Sequence, residues 1–210
     1  MNITSNINII IISIILLIFI DILFLKDNKN SIVMSIKNYL FNNKQIAKQE
    51  TPYSIIHYLN KNLNKIININ NRFLLIDFGC GDGTSLKMFN FCNNKIGIEI
   101  DTYTYKLALQ NCKYHNNIKL INGDILNYNF NTDTILYMYE PLWLCKDYLP
   151  IYEKLFENIY SSKHKIYIIY LTGVTKQLDE LFFMKYKLKL IHKQIHGAIL
   201  VNRYLYIYSN

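Results

Sequence analysis

Two hydrophobic patterns divide the chain. The first is one long run: from Ile7 to Leu25 almost every position is Ile, Leu or Phe, interrupted by Asn8, Ser13 and Asp21. Nineteen helical residues reach about 28 Å, close to the roughly 30 Å hydrocarbon core of a bilayer. Asp21 sits near the end of the run, where a charge costs less than at the bilayer centre. A cleaved signal peptide fits poorly, because no basic residue precedes the run and no small-x-small site follows it. The run therefore predicts one N-terminal transmembrane helix. No Lys or Arg precedes it, whereas Lys26, Lys29, Lys37, Lys44 and Lys48 follow. That asymmetry predicts a single-pass protein whose downstream domain faces the cytoplasm. Residues 26–50 are polar, with a weak helical pattern in Ile32, Ile36, Tyr39 and Leu40, and read as a juxtamembrane linker.

From residue 51 on, short apolar runs alternate with amphipathic stretches. Residues 72–78 (RFLLIDF), 95–100 (KIGIEI), 118–122 (IKLIN), 134–139 (TILYMY) and 165–171 (KIYIIYL) predict buried strands. Thr84–Phe91, Thr102–His115, Leu149–Tyr160 and Thr175–Met184 predict helices, and Pro52 opens another, Tyr53–Leu63. Continuous apolar strands alternating with helices imply an α/β domain whose mostly parallel sheet is covered on both faces. The last two runs, Lys187–Ile195 and Ala198–Tyr208, predict an antiparallel hairpin joined through His196–Gly197. The expected organisation is an anchor over 1–25, a linker over 26–50 and one domain over 51–210.

Composition changes this picture little. The bias toward Asn, Ile, Lys and Tyr runs through strands and loops alike, as a codon preference toward A and T produces. The formal charge is +8, yet the lysines form no run of five or more. A solvated lysine-rich surface is therefore expected rather than a nucleic-acid face. Cys80, Cys92, Cys112 and Cys145 make no C-x-x-C pair, and His57, His115, His164, His192 and His196 show no ligand spacing, so no metal site is expected.

The candidate chemistry lies at strand ends. The first strand runs into Asp77-Phe78-Gly79-Cys80-Gly81-Asp82-Gly83-Thr84, a glycine-rich loop between a strand and a helix. Glu99, 20 residues after Gly79, ends the second strand, where an acid can accept hydrogen bonds from ribose hydroxyls. Gly123-Asp124 ends the third, where an acid can accept from an adenine amino group. Asp101 reads as the cap of the helix from Thr102. A dinucleotide would set a diphosphate against Asp77 and Asp82, each like-charge pair costing about 4 kcal/mol at ~4 Å and a dielectric of ~20. An ammonium and a sulfonium would be attracted instead, which favours S-adenosylmethionine and disfavours a nicotinamide oxidoreductase.

The motifs Asp77–Gly83 with Thr84, Gly97-x-Glu99 and Gly123-Asp124 resemble, in order and spacing, those of class I S-adenosylmethionine-dependent methyltransferases. The resemblance covers residues 51–210. It implies a Rossmann-like seven-stranded sheet with a final antiparallel strand. It also implies that Asp77, Gly79, Gly81, Gly83 and Thr84 hold the aminoacid part of the cofactor, Glu99 the ribose and Asp124 the adenine. The fourth strand ends Tyr139-Glu140-Pro141-Leu142-Trp143, which resembles the acidic or Asn-Pro-Pro-aromatic run of amino-directed members but departs from it at two of four places. In that family this tip faces the transferred methyl group. Glu140 is the expected hydrogen-bond acceptor for an attacking amine, with Tyr139 and Trp143 as aromatic walls. An apolar N-terminus, Thr51-Pro52 and a D-x-G-x-G-D-G loop are also similar to membrane-anchored protein-lysine methyltransferases. The expected activity is thus methyl transfer to an amine, foremost a protein lysine. The alternatives are a small-molecule acceptor or a cofactor-binding scaffold without turnover. Nucleic acid is not an expected partner.

Overall fold

The computed structural model describes residues 50–69, 72–142, 147–173, 178–198 and 201–210. Its elements, in chain order, are α1 (Tyr53–Ile66), β1 (Leu74–Phe78), α2 (Thr84–Met88), β2 (Asn94–Glu99), α3 (Thr102–Cys112) and β3 (Ile118–Asn122). There follow β4 (Thr134–Tyr139), α4 (Tyr148–Ser161), β5 (Ile166–Thr172), α5 (Glu180–Lys185), β6 (Lys189–Ala198) and β7 (Val201–Ser209). A 3-10 turn, Ile125–Asn127, links β3 to β4. The seven strands lie in the order β3-β2-β1-β4-β5-β7-β6. The first five strands of that order are parallel, and β7 pairs antiparallel with both β5 and β6.

Strand periodicity sends alternate side chains to opposite faces. Leu75, Ile135, Tyr137, Ile169, Leu205 and Ile207 meet α1, whose buried residues Ile55, Ile56, Leu59 and Leu63 recur at helical spacing. Each such aliphatic chain contributes about 1.5–3 kcal/mol on burial. Ile76, Ile98, Leu136, Ile168 and Tyr208 meet Tyr152, Phe156 and Phe183 from α4 and α5 on the other face.

Several boundaries differ from the sequence expectation. The helix after the glycine loop stops at Met88, because Phe89 and Phe91 turn inward to pack with each other and with Leu86. The last helix begins at Glu180 rather than Thr175: the Asp179 side chain accepts from the Phe182 N–H and starts it there, while residues 174–177 lie outside the described residues. The hairpin turn is not at His196–Gly197. Those residues continue β6 and pair with Arg203 and Asn202, so the strand runs on to Ala198 before the chain reverses. The expected membrane helix over 7–25 lies outside the described residues. None of the described helices is long and apolar enough to cross a membrane.

Candidate active site

The site forms where β1, β2 and β4 end. Gly79, Gly81 and Gly83 have φ of 74°, 57° and 77°, values that a side chain makes costly, so the glycines are what let this loop fold back over the strand tips. The Gly79 and Cys80 N–H groups donate to the Ile98 carbonyl at 2.9 and 3.2 Å, tying the loop to β2. At Gly83 an added Cβ would stand 2.7 Å from Cys112 Sγ, so α3 closes against the loop.

Asp77 is 4% exposed and lines a cavity shared with Thr51, Gly79, Gly81, Thr84, Tyr137 and Tyr139. Burial, reinforced by the neighbouring Glu99 charge, raises its carboxyl to about 7. Glu99 is also buried, and its two oxygens accept from the Gly81 N–H at 3.0 Å and the Asp101 N–H at 2.9 Å. Desolvation still raises its pKa, against the pull of those donors. Next to it Ile100 is 71% exposed, an apolar face beside the acid at the β2 tip. Asp101 caps α3 as expected, accepting from the Thr104 N–H at 2.7 Å. Asp124 Oδ1 accepts from the Leu126 N–H at 2.9 Å and starts the 3-10 turn. Thr84 opens α2, with Asp82 Oδ1 accepting from its N–H at 3.1 Å.

At the fourth tip, Tyr139 lines the cavity and Glu140 turns away from it. Glu140 is 1% exposed and has φ of 37°. The Thr172 hydroxyl donates to its Oε1, and the Gly173 N–H also donates to its carboxylate. Desolvation raises its pKa, and those donors with the Arg203 charge oppose the shift. Trp143 lies outside the described residues. The structure thus gathers Asp77, Gly79, Gly81, Thr84 and Tyr139 around one cavity, sets Gly83 against α3, places Glu99 and Asp124 on adjoining tips, and directs Glu140 toward β5.

Four participants carry no site motif in the sequence. Arg203 Nε donates to the Tyr139 hydroxyl at 3.0 Å. It is one of two arginines in a chain of 23 basic residues, and that scarcity was a usable signal. Thr51 and Tyr137 share a buried hydroxyl hydrogen bond of 2.7 Å that seats the start of α1 over the cavity. Ile100 looks in the sequence like an ordinary strand end. The thiols of Cys80, Cys92 and Cys112 are buried and unbridged, and burial raises each of their pKa values, so they are poor nucleophiles.

Strand order and loop placement are those of the class I S-adenosylmethionine-dependent methyltransferase fold. Similar solved structures include an RNA methyltransferase assignment from Pyrococcus horikoshii, at TM-score 0.59 and 16% identity over 78% of this chain and 85% of that one. The N-methyltransferase NodS from Bradyrhizobium japonicum, in complex with S-adenosylhomocysteine, aligns at TM-score 0.57 and 14% identity over 84% of this chain and 97% of that one. A SAM-dependent methyltransferase from Aquifex aeolicus aligns at TM-score 0.53 and 12% identity over 76% and 99%. No family model and no curated protein matches the chain. Identities this low establish the fold.

Proposed function

We propose that this chain is an S-adenosylmethionine-dependent methyltransferase acting on an amine, foremost a protein lysine. We further propose that residues 7–25 hold it in a membrane, single-pass, with the domain on the cytoplasmic side. The observation that carries the reading is Asp77: a buried carboxyl facing a glycine-walled cavity, beside a second acid, is suited to a cationic ligand and hostile to a phosphate. The donor set fits the cofactor. Asp77 and the loop would hold its ammonium end, Glu99 its ribose, and Ile100 and Asp124 its base. When bound, the cofactor supplies a methyl group on a cationic sulfur. The chain supplies alignment, which carries much of the rate of a direct displacement.

On the acceptor side Tyr139 offers a hydroxyl fixed by Arg203, Pro141 backs Gly79, and Glu140 is bonded to Thr172 and Gly173 behind them. Asp82, Asp101 and Asp124 stand partly exposed around these tips, and their charge favours a cationic acceptor. Glu140 supports two readings. Its carboxylate retains lone pairs for an attacking amine, yet its present donors favour a role as a strut. Calorimetry with S-adenosylhomocysteine tests the cofactor site: Gly81→Arg and Asp77→Ala are expected to abolish binding in a folded protein, and unchanged affinity in both would remove the assignment. Labelling a lysate with a radioactive methyl donor tests turnover. Glu140→Ala is expected to keep cofactor affinity and lose transfer. An intact wild-type site that labels nothing, itself included, would leave a cofactor-binding scaffold.

A further inference from the structure

The lysines scattered along the sequence are gathered in space. Strand register puts one end of every strand in a row: Leu74 beside Asn94 and Thr134, Thr134 beside Ile166, and Ser209 beside Lys189. Seven strands at about 4.8 Å spacing make this row about 29 Å long. Around it stand exposed Lys65 in the last turn of α1, Arg72, Lys113, Lys163 and Lys165 in connections, and Lys189 at the start of β6. Two acids near this end are matched to cations already: Asp133 to Arg72 at 2.7 Å and Glu153 to Lys185 at 2.7 Å. The exposed Glu157 lies about one turn nearer this end of α4 than Glu153 and offsets part of the charge. At the opposite end, where the cavity opens, Arg203 lies near the Glu140 carboxyl, and Lys146 and Lys176 lie outside the described residues.

Helix ends explain part of this polarity. Every helix of the parallel units starts at the cavity end, so caps such as Asp101 and Asp179 collect there. The same rule favours cations at helix C-termini, which covers Lys65 and Lys113 but not Lys165 and Lys189 at the strand starts. A further lysine at this end occupies an unfavourable position. Lys187 has φ of 56°, its N–H donates to the Met184 carbonyl at 2.9 Å, and the Leu188 N–H donates to Phe183 at 3.1 Å. This closure of α5 is one that glycine ordinarily makes. A lysine is held there instead, with its ammonium 5.3 Å from the centre of the exposed Tyr160 ring. Lys113 likewise stands 4.6 Å from the ring of Tyr114, which is 83% exposed.

We propose that this end of the domain docks on an anionic bilayer surface, with Tyr114 and Tyr160 entering the headgroup layer. Tyrosines settle at membrane–water interfaces, and each basic residue near an anionic leaflet is worth about fivefold in partitioning. A nucleic acid held here would lie a strand length, about 17–20 Å, from the cavity. Docking turns the cavity mouth away from the lipid, toward an acceptor in the aqueous phase. The proposal is independent of methyl transfer.

The test uses the full chain in nanodiscs of phosphatidylcholine with or without phosphatidylserine. A fluorophore is placed at Asn116 on the basic end or at Tyr103 on the opposite end, and spin-labelled headgroups act as quencher. Quenching is expected at position 116, in phosphatidylserine discs, and not at 103. Lys163→Glu with Lys165→Glu should lose it. Lys187→Gly should weaken it while raising Tm, so a folding defect is not the cause. Equal quenching at both positions, no dependence on phosphatidylserine or on these substitutions, or no association with either disc would overturn the proposal. So would a polyuridylate strand that binds this end, with the same variant pattern, when the discs do not. Calorimetry with S-adenosylhomocysteine on the same samples reads the cofactor site separately.

Discussion

Asp77 ties the fold to the chemistry at a single carboxyl. Burial raises its pKa to about 7, so the folded chain favours the protonated form. The stabilising contribution is complete below the unfolded carboxyl value near 4 and is lost as pH rises through about 7. A cationic ligand reverses the preference and draws the proton off. Cofactor affinity is therefore expected to rise about tenfold between pH 5.5 and 7, with proton release detectable by calorimetry in buffers of different ionisation enthalpy. Asp77→Asn should flatten both. A flat profile in the wild type would separate Asp77 from the ligand. Gly97 makes a second residue-scale case: an added Cβ would meet Cys80 Sγ at 2.7 Å, Leu120 at 2.8 Å and Leu86 at 2.9 Å. Gly97→Ala is expected to cost about 1–3 kcal/mol, read by denaturant titration.

Elements are held together by a few polar ties between strand ends. The Thr172 hydroxyl and the Gly173 N–H reach Glu140 and clip β5 to β4 at the tip. Thr172→Val leaves a buried carboxylate short of a donor and is expected to cost about 1–3 kcal/mol, lowering Tm by roughly 3–10 °C. An unchanged Tm would mean the clip carries no energy. Tyr58 ties α1 to β6, with its hydroxyl 2.8 Å from His192 Nε2 and its ring edge-on to His196 at 4.8 Å. Tyr58→Phe should cost about 1 kcal/mol. Element by element, β3 and β4 were legible to the residue, since apolar runs bounded by polar turns leave little choice of register. The helix after the glycine loop was read too long, because Phe89 and Phe91 look amphipathic in one dimension and are core in three. The hairpin turn was misplaced because His196–Gly197 has turn chemistry, while the pairing of His196 with Arg203 keeps it in the strand. The loop acids were legible because strand-tip acids have a chemical motive. Arg203 and Thr51 were not, because their partners are 64 and 86 residues away.

On the scale of the molecule, charge is sorted along the strand axis, and lysine spacing in the sequence gave no hint of it. A one-dimensional search for basic runs misses a cluster assembled from four separate helix-to-strand junctions. The domain over 51–210 carries its own two-faced core, so deletion of residues 1–25 is expected to yield a soluble protein that still binds S-adenosylhomocysteine. Its persistence in a high-speed membrane pellet at high salt would argue against a single anchor.

The seating of α1 has a mechanical consequence. Glu50 and Thr51, the first described residues, already line the cavity, and Thr51 is fastened to Tyr137 beneath it. No slack separates the incoming chain from the pocket wall. Any pull applied ahead of residue 50 is therefore delivered to the wall itself, so ligand residence time should shorten under load on the N-terminus and stay constant under load on the C-terminus.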